Sequence, residues 1–284
     1  MRFGIATTLT QDSLQPVELA RWLEDHGFES LFVGEHTHLP TAPHRYGDGV
    51  GEDYKKFYDP FVALTAAAVA TERLTVGTAV CLVTEHHPIT LAKMVSTLDQ
   101  VSGGRVVLGC GTGWNTVELQ NHGVAWKDRW KVTRERILAM REIWTQEQAE
   151  FHGEFVDFDP IWCWPKPVQR PGPKILLGGG MDPDIVAQRI VEYGDGWIPL
   201  DGGHELEPTI DAIRKEADRA GRTLDEFELT VGLGLMGPIT EGRYREVVEM
   251  GFSRVLFVLP RRGREADLET LESFAELKRS FERG

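Results

Sequence analysis

Short apolar runs alternate with longer amphipathic stretches along the whole chain. Arg2–Leu9, Ser30–Val33, Leu74–Val83, Arg105–Gly109, Lys174–Leu177, Gly196–Leu200, Glu228–Leu235 and Arg254–Leu259 are rich in Val, Ile, Leu and Phe and read as strands. Between and after them, Pro16–His26, Pro60–Ala70, Ile89–Val101, Val132–Trp144, Asp184–Tyr193, Glu207–Ala220, Glu241–Met250 and Leu268–Phe281 read as helices. In the first helix Val17, Leu19, Ala20 and Leu23 recur at helical spacing. Strands that are apolar nearly throughout imply parallel pairing with both faces covered. Strict alternation leaves a doubly wound sheet or a closed barrel. Eight units in 284 residues favour the barrel, a single (β/α)8 TIM-barrel domain over residues 1–284. The doubly wound alternative loses ground because no G-x-G-x-x-G follows the first strand.

One segment breaks the rhythm. Residues 150–173 carry Phe151, Phe155 and Phe158 in an alternating pattern, with five prolines. This predicts a hairpin or irregular excursion after the fourth helix. Trp162 and Trp164 could cap a substrate pocket from there as a lid, or simply pack the insertion onto the barrel rim.

Charge narrows the partners. The net charge is -13 and no stretch concentrates lysine and arginine, so nucleic acid and anionic membranes are poor partners. A small anionic molecule remains admissible, because backbone amides and one or two cations hold it locally. Cys81, Cys110 and Cys163 show no C-x-x-C spacing and read as reduced thiols of a cytoplasmic protein. The amino terminus lacks a basic segment followed by an apolar one, and no run approaches membrane-spanning length; neither signal peptide nor transmembrane helix is expected.

In a barrel of this kind the strand-to-helix loops carry function. Strand two ends in Gly34-Glu35-His36-Thr37-His38, where His36 can move a proton near neutral pH and Glu35 could orient it or raise its basicity. The plain alternative is a histidine satisfied by backbone in a long loop. Strand three leads through Thr78, Ala79 and Val80 to Glu85, His86 and His87, and strand four into Gly111-Thr112-Gly113-Trp114-Asn115. Strand five ends in Gly178-Gly179-Gly180-Met181 directly before a helix, a pattern suited to a phosphate cradle or merely to a tight turn.

Three chemistries compete for these groups. Metal-assisted hydrolysis could draw on His36, His38, Glu85, His86 and His87, but strands one, five, six and eight add no histidine, so no metal is expected. Glycoside hydrolysis could draw on Glu35, Glu85 and Glu118, yet strand seven ends in apolar residues. Redox chemistry on a flavin-like ring needs a flat platform, a phosphate cradle and a few polar groups. Ala79-Val80, the Gly111–Gly113 loop and the Gly178–Gly180 loop meet those needs.

The pieces Gly27–His36, Asp59-Pro60-Phe61, Thr71–Thr78, Ser102–Arg105, Gly109–Trp114, Pro165-Lys166-Pro167, Gly178-Gly179 and Gly194–Trp197 stand in one order and spacing. In this the chain resembles the luciferase-like monooxygenase superfamily, and within it the coenzyme F420-dependent oxidoreductases. The resemblance implies a ring at the strand ends on a non-proline cis peptide at Ala79-Val80. It implies cofactor contacts from Thr78, Gly111, Thr112, Gly113 and Gly178–Met181, and Glu35-His36 as the acid–histidine pair beside the ring. His86, Trp114, Trp162 and Trp164 would then face the substrate. The cofactor tail is assigned to Lys166, Arg170 or Arg261, because Asp201-Gly202-Gly203 lacks the lysine some relatives use. F420 is the expected cofactor, with an FMN-dependent two-component monooxygenase and a non-catalytic flavin-binding protein as alternatives. A homodimer is expected by analogy.

Overall fold

The strands close into a barrel because each is buried on both faces and finds a parallel neighbour on either side. In the computed structural model, which describes residues 1–41, 52–203 and 205–283, the wall is built from β1 (Arg2–Thr7), β2 (Ser30–Val33), β3 (Thr75–Leu82), β4 (Val106–Gly111), β7 (Lys174–Leu177), β8 (Gly196–Trp197), β9 (Glu228–Leu233) and β10 (Arg254–Val258). They follow one another around a closed barrel in that order, β10 returning to β1. All eight contacts are parallel. The expected strands are therefore present, most of them a residue or two shorter or shifted. The sixth shrinks to Gly196–Trp197, with Leu200 pairing Gly232 as an isolated bridge.

Two apolar layers hold the wall. Inside it, Phe32, Val107, Leu176, Ile198 and Leu256 fill the barrel, with partly buried Ala79, Val80 and Val258 against them. Outside, alternate strand residues such as Ile5, Leu31, Val76, Leu108 and Val255 pack beneath the helices. Those helices are α1 (Pro16–Asp25), α2 (Pro60–Val69), α3 (Pro88–Ser102), α4 (Thr116–Asn121), α5 (Arg129–Thr145), α6 (Pro183–Tyr193), α7 (Leu206–Arg219), α8 (Glu241–Glu249) and α9 (Arg264–Arg283). Local chemistry sets several starts: the side chains of Asp59, Asn115, Asp182 and Thr240 accept backbone N–H bonds in the first turns of α2, α4, α6 and α8. The short α4 was not expected from the hydrophobic pattern.

The expected hairpin is β5 (Ala149–His152) paired antiparallel with β6 (Asp157–Ile161). It lies along α5, Glu135 accepting the amides of Glu154, Phe155 and Val156 at its turn. From β6 the chain passes to the amino ends of the strands. There Lys166 Nζ donates to the carbonyls of Ile143 and Gln146 at the end of α5, and Gln169 Nε2 donates to the carbonyl of Val106 at 2.8 Å. Trp164 and its neighbour Trp162, both largely exposed, belong to this stretch, with Lys93 donating to the Trp164 carbonyl.

Ion pairs gather at the same end. Arg254, 1% exposed, reaches Glu29 at 2.9 and 3.0 Å and also bonds Glu228, while Lys174 reaches Glu228 at 3.0 Å. This end of the barrel is tied together by charge. No helix among the described residues is long and apolar enough to cross a membrane.

Candidate active site

At the opposite end, β3 departs from regular geometry. The Ala79-Val80 peptide is cis and the β3–β4 register shifts between Thr78 and Cys81. This meets the expectation for that bond. Ala79 and Val80 remain partly buried at the upper edge of the inner layer, an apolar ledge facing the mouth. Two of the glycines make room for this ledge. A Cβ on Gly111 would stand 2.6 Å from Val80 Cγ2, and one on Gly178 would stand 3.0 Å from Val80 Cγ1. Thr78 is buried, its hydroxyl donating to the Gly109 carbonyl at 2.7 Å, so it builds the wall under the ledge. Thr112, also buried, accepts at its carbonyl from Thr84 Oγ1 at 3.2 Å.

His36 stands beside this mouth with both ring nitrogens engaged. Nδ1 lies 2.7 Å from Glu118 Oε2, and Trp114 Nε1 donates to Nε2 at 3.0 Å. An indole N–H only donates and a carboxylate only accepts, which assigns the neutral Nδ1–H tautomer with the lone pair on Nε2. The rings of Tyr54, Phe57 and Trp114 lie 5.4, 5.8 and 5.3 Å from the imidazole. Glu118 is 1% exposed at its side chain and also accepts from the Thr37 amide at 3.1 Å.

The partner of His36 is thus Glu118 of α4, and the expected Glu35–His36 pairing is corrected. Glu35 turns the other way, 4% exposed, accepting the Leu82 amide at 2.6 Å and meeting His86 Nε2 at 2.8 Å. Consecutive residues at the end of an extended strand point to opposite sides, so only one of the two faces the mouth. His86 is accordingly a partner of Glu35, edge-on to Phe61. Burial opposes its charge, but the Glu35 carboxylate raises its pKa above the usual histidine value.

Glu35, Cys81 and His86 bring three ligand-type atoms within 4.8 Å of one another. The set is a poor metal centre. The carboxylate already serves the Leu82 amide and His86, and burial, with Glu35 adding to it, pushes the Cys81 thiol well up, away from the thiolate a metal needs.

With barrel, ledge and histidine in place, the comparisons decide the family. The luciferase-like monooxygenase family model matches residues 1–276. The chain belongs to the luciferase-like monooxygenase family. Among similar members, an uncharacterized protein of Mycobacterium tuberculosis is 38% identical, covering 97% of this chain and 98% of its own. An F420-dependent glucose-6-phosphate dehydrogenase of Intrasporangium calvum is 31% identical over 75% of this chain and 62% of its own length. An FMNH2-dependent dimethylsulfone monooxygenase of Pseudomonas putida is 31% identical over 73% and 54%. The fold is shared with monooxygenase RslO1 of Streptomyces bottropensis, at a TM-score of 0.76 and 21% identity over 97% and 98% of the two chains. Members are oxidoreductases and monooxygenases acting on small molecules, and this luciferase-like chain is an enzyme of that kind.

Two further expectations are corrected within this family setting. Trp162 and Trp164 lie at the amino ends of the strands, away from the mouth. A segment that follows a helix emerges at that end. For the same reason Lys166 and Arg170 are out of reach of a cofactor tail. Arg261 does lie at the mouth, 2.9 Å from Thr8 Oγ1 and over the rings of Tyr54 and Phe57. At the glycine loop, Gly179 and Gly180 adopt φ of 82° and 91°, a conformation that side chains rarely allow. Met181 is 80% exposed beside them. Asp182 occupies the amides of Asp184 and Ile185, so an anion here would meet the loop amides rather than those of the helix. Arg189, stacked on Trp130, comes within 3.6 Å of a Cβ built on Gly180.

Glu85 is the most perturbed acid at this end. Burial, then the nearby Glu118 charge, raises its pKa to about 8. A carboxyl whose folded pKa exceeds its unfolded value of 4.5 contributes stability that is lost as pH rises through the folded value. Glu85→Gln carries no such cost. It is therefore expected to be more stable than the parent at about pH 8, by up to about 4 kcal/mol, with the advantage vanishing near pH 4. Urea unfolding at both pH values checks this; equal midpoints at the higher pH would refute it.

Proposed function

We propose that this protein is an F420-dependent oxidoreductase moving a hydride between the deazaflavin and a small alcohol or carbonyl compound. The observation that carries this reading is the neutral His36, oriented by Glu118 with its lone pair on Nε2 beside the ledge. Oxidising an alcohol requires a base for the hydroxyl proton at the moment hydride leaves carbon.

The residues fit the cofactor. Ala79 and Val80 offer a flat apolar ledge for the ring, kept in place by Gly111 and Gly178. The amides from Gly179 to Met181, with Gly113 and Arg189 nearby, are assigned to the cofactor's polar portions. The bound deazaflavin supplies the hydride acceptor or donor. His36 Nε2 accepts the substrate's hydroxyl proton, and Glu118 steadies the imidazolium that results. Since Nε2 has one lone pair, the substrate hydroxyl must take the place of the Trp114 indole N–H. In the reverse direction the imidazolium returns its proton to a carbonyl oxygen.

Fluorescence titration with F420 and FMN side by side tests the assignment. Saturable F420 binding without comparable FMN binding is expected; tight FMN binding with none of F420 would instead favour the FMN-dependent monooxygenase reading. Gly111→Ala forces a Cβ into Val80 and so displaces the ledge. It is expected to weaken F420 binding about tenfold, and unchanged affinity in the same titration would remove Val80 from the ring site.

A further inference from the structure

Beyond the His36–Glu118 pair, a set of polar groups converges on one side chain at the rim. Thr37 Oγ1 lies 2.9 Å from Glu85 Oε2, 2.8 Å from His122 Nε2 and 2.9 Å from His38 Nδ1. Its amide binds Glu118 at 3.1 Å and also favours the charged form of Glu85. The two carboxylic side chains are almost fully enclosed, 1% and 2% exposed, whereas that of His122 is 26% exposed. A string of polar groups therefore leads from the imidazole to water, Glu118 and Glu85 meeting across the Thr37 amide that both approach.

We propose that Thr37, Glu85 and His122 form the proton outlet of the site, exchanging with solvent the proton that His36 gains or loses through Glu118. The inference rests on the function proposed above for His36. Glu85 and Glu118 flank Thr37, and it is Glu85 that carries the proton to be passed on. To release a proton, Glu85 passes its own to Thr37 Oγ1 while the Thr37 hydroxyl proton moves to His122 Nε2 and on to water. The vacated Glu85 takes the proton that Glu118 received from His36 Nδ1. One proton enters at His36 Nε2 and one leaves at His122 by way of Nδ1, so the ring loses its charge and is left as the neutral Nε2–H tautomer. A hydroxyl suits the middle position because it accepts and donates at once.

The surroundings keep the proton on this string. Glu85 faces Glu118 from α4, Glu35 from the end of β2, and His122 after α4. Cys81 of β3, His38 and His86 stand around this cluster, and Arg136 of α5 donates to the adjoining Val83 carbonyl at 3.0 Å. With like charges on two sides, burial holds Glu85 as the neutral acid near pH 7, its pKa raised to about 8. His122, by contrast, is kept neutral by burial and by His38, ready to accept.

The test needs no substrate and no cofactor. Infrared spectra of the protein near pH 7 are expected to show the C=O stretch of a buried carboxylic acid, present in the parent and in Thr37→Val, absent in Glu85→Gln. In histidine-labelled protein followed by NMR, Thr37→Val keeps the amide contact to Glu118 but removes the hydroxyl. It is expected to slow exchange of the His36 Nδ1 proton with water on the order of a hundredfold. Persistence of the acid band in Glu85→Gln, or parent-like exchange in Thr37→Val, would overturn the outlet. Because both readouts are taken on the protein alone, failure to bind F420 would sink the cofactor assignment and leave these results standing.

Discussion

Replacing His36 by alanine is expected to cut turnover about 100- to 10,000-fold while leaving F420 affinity within a few-fold of the parent. Turnover would be followed by F420 absorbance across a panel of small alcohols and carbonyl compounds. The size of the effect follows from position. The imidazole is the titratable ring at the mouth whose Nε2 the substrate hydroxyl reaches by displacing the Trp114 N–H, and Glu118 lets it become cationic without moving. The ledge and glycine loop remain when His36 is removed, so binding survives. Glu118→Gln should cost less, because an amide still accepts from Nδ1–H but no longer balances the imidazolium. Parent-like turnover in His36→Ala would place the proton transfer elsewhere.

The largest stability effect is expected at the other end of the barrel. Arg254→Ala leaves Glu29 without its bidentate partner and removes one cation from Glu228, at a cost of about 3–5 kcal/mol. Burial alone would raise both carboxyl pKa values, yet Arg254 and its neighbours hold them below the usual 4.5. A depressed folded pKa contributes stability above the unfolded value that is lost as pH falls through the folded one. The parent should therefore lose stability below about pH 4.5, and the variant should show a weaker loss there. Urea midpoints near pH 7 and in mild acid report both effects; an unchanged midpoint near pH 7 would contradict the pairing. The substitution lies far from the mouth and should spare cofactor binding.

The barrel was legible because parallel strands buried on both faces leave unbroken apolar runs, and eight of them admit few other closures. Ala79-Val80 could be offered as a platform from its small apolar residues, but its cis peptide was legible only through family resemblance, since nothing in Thr78–Cys81 signals a register shift by itself. His36 was found by its place at a strand end. Its partner was not, because α4 is a six-residue helix whose start depends on the Asn115 cap, and without that helix Glu118 has no address. The period-two rule did carry a signal against pairing Glu35 with His36, as neighbours in extended chain face apart. The same holds for Trp162 and Trp164. Their connection follows a helix, which puts it at the amino ends of the strands however aromatic its sequence. Side-chain networks such as Thr37–Glu85–His122 join residues up to 85 positions apart and leave no local pattern to read.

The most direct test of the central claim is a crystal structure of the protein with F420. The ring is expected to lie on the Ala79-Val80 ledge with His36 Nε2 turned from Trp114 toward the reacting face, and Glu118 still bound at Nδ1. A ring seated away from that ledge, or a His36 still tied to Trp114 and remote from it, would contradict the proposed chemistry.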